Sequence, residues 1–509
     1  MTAPSLVAPA ASAARSSIAI AASFLISALL GGLLALLIAI IVGENADTDS
    51  FLAAYSVYLV FTLFGSTLRI ALVPMMGPAQ DEPALRLAAT DALRRLMGAG
   101  AVLATAMLML APLIGQALTS GGGSASTATI SLMILAAASF CQIAAASLSA
   151  TLAAARRFAA SAALFVIGST ATLLLATGLM AAIGILGAPL GILGGSVVLY
   201  SAHHVYLGRF GFAVFPSLRA TLSRATWRLA ATAAAGAAVP LTLQLNLTIA
   251  LSAVTGTVGV VTAYSYAYFL AVLLSAVTAS TIGFVTMPDL VAALAERGRS
   301  AAEGYFEETS PIAVFLYVPL AAALATFGRP VLDATLGSAL SPPTIDLLWD
   351  ITRIFLIMCL AWAILAPLTT LALSLRMSRA LTILAVSMLT LQVAVVIPLA
   401  QIGATSAALG HAIVGVVLVV VVAYMVFGRN AARASMRALV KCAPAGPLAL
   451  VFPAISWAGP ADPSWLVAAV LAAIGIAGYF AVATFAWPSV GGRTMQMLLG
   501  ARPAATRRR

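Results

Sequence analysis

From about residue 16 onward the chain repeats one pattern: an apolar run, a short break rich in glycine, proline or charge, and another apolar run. A bilayer core about 30 Å thick needs roughly 20 apolar residues in a helix that crosses it. Hydropathy with those breaks as punctuation predicts fourteen spans: 16–43, 50–76, 93–118, 127–153, 158–182, 184–206, 229–254, 259–287, 311–327, 345–373, 379–400, 404–427, 437–455 and 465–487. The expected fold class is an all-α polytopic membrane protein. Residues 1–206 form an N-terminal six-helix half, 207–228 a basic linker, and 229–427 a second six-helix half. Residues 428–509 add two helices and a basic tail.

Composition agrees with the pattern. The chain is 62% hydrophobic and 8% charged, against roughly 25% charged in an average soluble domain. The run from Ser16 to Val42 is too long for the core of a secretory signal and is followed at once by a second run, so it is read as an uncleaved first span. Cys141, Cys359 and Cys442 are scattered and form no CxxC, which indicates neither a disulfide framework nor a metal site.

The net charge of +11 could invite a nucleic-acid reading, but the placement of the charge decides otherwise. With the N-terminus in the cytoplasm, all but three of the 26 basic residues fall on inner segments, the exceptions being Arg69, Arg329 and Arg353. The positive-inside rule then puts both termini in the cytoplasm and makes this a multi-pass protein of the cytoplasmic membrane, with anionic inner-leaflet lipids as partners and no nucleic acid. Acids gather in "VGENADTDSFLAAY" (42–55), read as an outer turn. Glu44 and Asp47 are expected to be rim charges, and Asp49 to cap the helix that begins there.

Ionisable groups inside a span are expensive, so each is weighed for function. Arg69, two turns from the inner end of span 2, either contacts an anion or snorkels to the headgroups. In "TIDLLWDITRIF" helical spacing puts Asp346, Asp350 and Arg353 on one face. An Asp350–Arg353 bridge is one reading, and an arginine free to grip phosphate the other. In "LTLQLNLTIAL" Gln244 and Thr248 are read as packing groups that bond between helices, while Asn246 is kept as a substrate contact. Gln142, Gln392 and His411 also receive the packing reading. Substrate-binding candidates are therefore Arg69, Arg353, Asn246, Asp49 and Asp350. The sequence holds no GxxxxGK[ST] loop and no paired carboxylates, His/Glu cluster or Ser/His/Asp set at membrane depth. The expectation is a carrier with no cofactor and no enzymatic activity.

Four stretches carry a family resemblance: "ISALLGGLLALLIAIIVGENADTDSFLAAY" (26–55), the "VP" closing span 2, "QLN" in span 7, and "VVTAYSYAYFLAVLLSAVTASTIGFVTMPDL" (260–290). They resemble lipid II flippases of the MurJ (MviN) type, in the multidrug/oligosaccharidyl-lipid/polysaccharide exporter superfamily. The resemblance implies two six-helix halves around a central cavity, two added helices forming a groove for a lipid tail, and alternating access. It also implies a polyprenyl-diphosphate-linked sugar as cargo. "DTDSFL" places Asp49 on the aspartate of the family's "ATDAFF". The family's first-span arginines fall here on Ala28, Leu34 and Ile40, and its span 8 arginine on Phe269.

Three functions follow. The first is a flippase or exporter of a lipid-linked glycan or related amphipathic lipid, with cell-envelope synthesis proteins as possible partners and Arg69, Arg353 or both replacing the lost arginines. The second is an ion-coupled exporter of small amphipathic molecules. The third is a non-transporting membrane scaffold.

Overall fold

The structure is a computed structural model that describes residues 13–76, 82–155, 157–211, 238–275, 300–375, 377–460 and 463–488, with single positions between 224 and 298 and Val490. Most of the basic linker, most of the second half of span 8 and the C-terminal tail lie outside the described residues. So does the side chain of Arg69, although its backbone is helical.

Helices follow the apolar runs closely, because a peptide group in hydrocarbon must find its hydrogen bond within its own segment. They are α1 (Ala13–Val42), α2 (Ala46–Met76), α3 (Glu82–Leu118), α4 (Ala125–Ala154), α5 (Phe158–Ile183), α6 (Gly187–Gly208), α7 (Ala238–Ala253) and α8 (Val260–Ser275). Then come α9 (Ser300–Leu336), α10 (Pro342–Ser374), α11 (Ser378–Ala400) and α12 (Ala404–Phe427). The last four are α13 (Ala431–Cys442), α14 (Ala445–Ala449), α15 (Val451–Ala458) and α16 (Trp465–Ala486). Among the described residues, nine stretches are long and apolar enough to cross a membrane, and α7 and α8 are shorter apolar helices. Leu113, Leu174, Val386, Val420 and Val482 are exposed, so the outer surface is apolar in the way a lipid-facing surface must be.

One element departs from the sequence reading. The single span expected at 437–455 is three helices, α13, α14 and α15. Pro444 and Pro447 supply the physical reason, since a proline inside a helix removes a donor and crowds the preceding turn.

The chain divides into two compact units. The first comprises Met1–Tyr266, Ala339–Thr344 and Ser378–His411. In it α4 packs on α2, α3 and α6, α5 on α1 and α6, and α7 on α2 and α11. The α5–α6 contact rests on Gly187, Gly191 and Gly195, one face of α6. A Cβ at Gly191 would overlap the Ala176 backbone, and one at Gly195 the Thr172 side chain. Such small-residue faces let membrane helices approach closely. Gly191→Leu is expected to separate the pair and lower the unfolding temperature of the detergent-solubilised protein by several degrees, read by intrinsic fluorescence. Gly178→Leu, where nothing lies within 4 Å of the added Cβ, serves as the control.

The second unit comprises Ala267–Ser338, Ile345–Met377 and Ala412–Arg509. Here α9 is the central element, packed against α16, α13, α14 and α15. Phe315 of α9 meets Tyr479, Phe480 and Trp487 at centroid distances of 5.8, 5.4 and 5.6 Å.

Candidate functional site: three carboxylates on three helix starts

Glu44 is half-buried and Asp47 exposed in the turn between α1 and α2, whereas Asp49 is buried. Each of these acids reaches the first turn of a different helix, and each finds a threonine there. Asp47 Oδ1 accepts from the Thr127 hydroxyl at 2.6 Å, at the start of α4. Asp49 accepts from Gly259 N–H (2.8 Å), Thr262 N–H (2.9 Å) and the Thr262 hydroxyl (2.6 Å), at the start of α8. Glu44 accepts from Ser341 N–H (2.7 Å), the Ser341 hydroxyl (3.2 Å) and the Thr344 hydroxyl (2.8 Å), at the start of α10.

The repeated geometry has one cause. A helix start exposes unpaired N–H groups and the positive end of the helix dipole. In a capping box an acid three residues into the helix returns to satisfy one of them. Here the third helical position is Thr127, Thr262 or Thr344, and the carboxylate comes from elsewhere in the chain. Asp49 therefore does not cap its own helix, as the sequence implied. Asn45 does, its Oδ1 accepting from Thr48 N–H at 2.8 Å. Asp49 is only 7% exposed, and among the described residues no ion pair involves it. Three hydrogen bonds and a helix end stabilise its charge where a cation would otherwise be needed.

Neighbouring loops complete a tight plate. Ser50 Oγ accepts from Ser124 N–H (2.7 Å) and donates to the Ala46 carbonyl (2.6 Å). Gly121 lies so close to the Thr255 carbonyl that a Cβ would overlap it. Gly259, at φ +88°, has Glu44 and Thr344 where a side chain would go. A small cavity remains, lined by Asp49, Ser50, Thr119, Gly122, Thr255 and Val258 among others.

A second polar group sits at the middle of α7 in the same unit. Gln244 Nε2 donates to the Ser56 carbonyl (3.3 Å), and Ser56 Oγ donates to Thr248 Oγ1 (3.1 Å), joining α7 to α2. Gln392 Nε2 donates to the Asn246 carbonyl (3.1 Å), joining α11 to α7. Tyr264 Oη and His411 Nδ1 lie 3.2 Å apart. Asn246 differs from these packing groups: it is 1% exposed, and neither atom of its side-chain amide has a partner. Gln392 Oε1 is likewise unpaired. Unsatisfied buried amides are costly, so this is where the unit has hydrogen-bonding capacity to spare.

In the second unit the expected Asp350–Arg353 bridge is absent among the described residues. Arg353 instead lies over the Trp349 ring, 4.9 Å from its centroid. Asp346 is taken by Arg329 of α9 at 2.8 Å, which also holds Asp333 at 3.0 Å. Asp350 and Arg353 are both exposed. Asp49 and Asn246 thus belong to one unit and Asp350 and Arg353 to the other. The residues that sequence reasoning missed are Thr127, Thr262 and Thr344. Their signal was present as "SAST", "GVVT" and "SPPT", a small residue followed three positions later by threonine at a helix start.

No protein-family model and no curated protein matches the sequence. Solved structures do: the chain shares its fold with transporters of the MOP superfamily. A lipid II flippase MurJ in an inward closed conformation is 15% identical over 93% of this chain and 99% of its own, with a TM-score of 0.71. An inward-facing multidrug resistance MATE family transporter is 16% identical over 84% of this chain and 98% of its own (TM-score 0.64). A MOP superfamily transporter from Pyrococcus furiosus is 15% identical over 84% and 96% (TM-score 0.58). These neighbours are transporters, not enzymes. At such identities the shared property is the fold.

Proposed function

We propose that the chain is an alternating-access flippase or exporter that moves a lipid-linked glycan precursor, carried on a polyprenyl diphosphate, or a related amphipathic lipid. It works in the cytoplasmic membrane with both termini inside, among its lipids and beside the proteins of cell-envelope synthesis. The observation that carries this reading is the carboxylate plate. It ties the turn between α1 and α2 to the starts of α4, α8 and α10, and in this reading those hydrogen bonds are the outer closure that is released during transport. Its acids are all engaged at helix ends. An antiporter that exchanges substrate for a cation needs a free carboxylate in the bundle, and among the described residues of α1, α7 and α8 there is none.

One further feature favours a diphosphate lipid over a small drug. Arg353 is an exposed arginine about three turns into α10 with no carboxylate partner among the described residues, and a guanidinium matches phosphate geometry. In the other unit, the unpartnered Asn246 amide is the group proposed to meet sugar hydroxyls.

The test is leaflet exchange of a fluorescent polyprenyl-diphosphate sugar in proteoliposomes. Arg353→Ala is expected to slow it about tenfold or more, as loss of a charge-assisted hydrogen bond does, and Arg353→Lys to restore part of the rate. Exchange that is no faster than in protein-free vesicles, with proton-driven efflux of a cationic dye present instead, would select the small-molecule exporter.

A further inference from the structure

The proposal above makes no use of α13, and this helix has three distinct sides. Ala431, Ala434, Ala438 and Cys442 are buried and face α9, against which the helix packs. At about 100° per residue, Ala432, Met436, Leu439 and Val440 fall together on a second side. It is fully open: Met436 is 61%, Leu439 52% and Val440 64% exposed. Arg433, Arg437 and Lys441 form the third side, and exposed Arg429 precedes the helix in a single tight turn.

The roll of the helix is fixed by polar contacts. Glu307 of α9 accepts from Arg437 (3.2 Å) and Lys441 (3.0 Å), and Asn430 Nδ2 donates to Glu303 (3.1 Å). These bonds hold the cationic row on one flank and turn Met436, Leu439 and Val440 away from the protein. Among the described residues Arg429 and Arg433 make no ion pair.

We infer that α13 is a docking site for anionic phospholipid of the surrounding bilayer. Its apolar side enters the acyl boundary, and Arg429 and Arg433 hold headgroup phosphate, with Arg437 and Lys441 shared between lipid and Glu307. Three observations choose this occupant over a soluble protein. The helix is continuous in sequence with α12, a 24-residue apolar helix, and α14 and α15 follow it into the second half of the same apolar stretch, so it lies where a membrane helix reaches the surface. The apolar and cationic sides adjoin along the helix axis, the arrangement of an interfacial helix rather than of a protein-binding groove. The unpaired charges are all positive, which matches phosphate and no neutral partner.

The experiment uses the full chain in detergent, titrated with phosphatidylglycerol or phosphatidylcholine and followed by native mass spectrometry of the lipid-bound species. Wild type is expected to bind phosphatidylglycerol the more tightly. The Arg429→Gln/Arg433→Gln double variant should lose about tenfold of that preference, with phosphatidylcholine binding unchanged. A second readout places a bimane on Val440→Cys in vesicles, where lipids brominated on the acyl chains should quench it. An unchanged preference in the double variant overturns the proposal. So does a bimane shielded from brominated lipid, or a disulfide formed between two copies of the unlabelled Val440→Cys protein on oxidation. None of these readouts measures transport, so a chain that fails to flip lipid leaves the inference standing.

Discussion

Replacing Asp49 by alanine is expected to raise the maleimide labelling rate of an Ala263→Cys reporter about thirty-fold. Ala263 is fully buried one residue beyond Thr262, and the measurement uses detergent-solubilised protein from which Cys141, Cys359 and Cys442 have been removed. Without the carboxylate, Gly259 N–H, Thr262 N–H and the Thr262 hydroxyl lose the acceptor that holds them at 2.8, 2.9 and 2.6 Å. At a net value of about 1 kcal/mol for each of two or more such bonds, the closed plate loses about 2 kcal/mol. A loss of that size moves a two-state equilibrium about thirty-fold, at about 1.4 kcal/mol for each factor of ten. Asp49→Asn keeps one acceptor oxygen and should fall between wild type and alanine. A reporter no more reactive in Asp49→Ala than in wild type, in protein of normal gel-filtration profile, would show that the start of α8 is held by something other than this acid.

The second large effect comes from a glycine. Gly121→Val is expected to loosen the plate comparably, because even a Cβ there overlaps the Thr255 carbonyl and neither loop can retreat without losing its neighbours. Overpacking of this kind costs roughly 1–3 kcal/mol. Hydrogen exchange should rise across 119–124 and 254–259 together, since one contact holds both. Gly256→Ala, with nothing within 4 Å of its added Cβ, should leave exchange as in wild type. Protection that persists in Gly121→Val, or is lost equally in Gly256→Ala, would remove the loop contact as the source of closure.

Much of the fold was legible because the bilayer imposes a local rule: an apolar run of sufficient length forms a helix whatever its neighbours do. Helix starts at Ala125, Phe158, Ala404 and Trp465 lie within two residues of the expected ends. The stretch after Ala431 was misread because hydropathy averages over prolines, and Pro444 and Pro447 divide an apolar run that scores as one. The interhelical roles of Gln244, Thr248 and Gln392 could be read from residue type. That neither atom of the Asn246 amide has a partner could not, because partnership depends on which helix comes alongside.

The acids of residues 42–55 mark the same boundary. By itself the sequence determined that a membrane chain has three carboxylates close together, that arginine is scarce around them, and that Asp49 stands where a family it resembles has an aspartate. It left those acids without counter-charge, since Ala28, Leu34 and Ile40 occupy the family's arginine positions. Only the tertiary structure decided what compensates them. The starts of α4, α8 and α10, far apart in the chain, converge on one turn and present N–H groups and threonine hydroxyls to Asp47, Asp49 and Glu44. The field of a helix end belongs to no single residue, so no residue-by-residue reading could have found it.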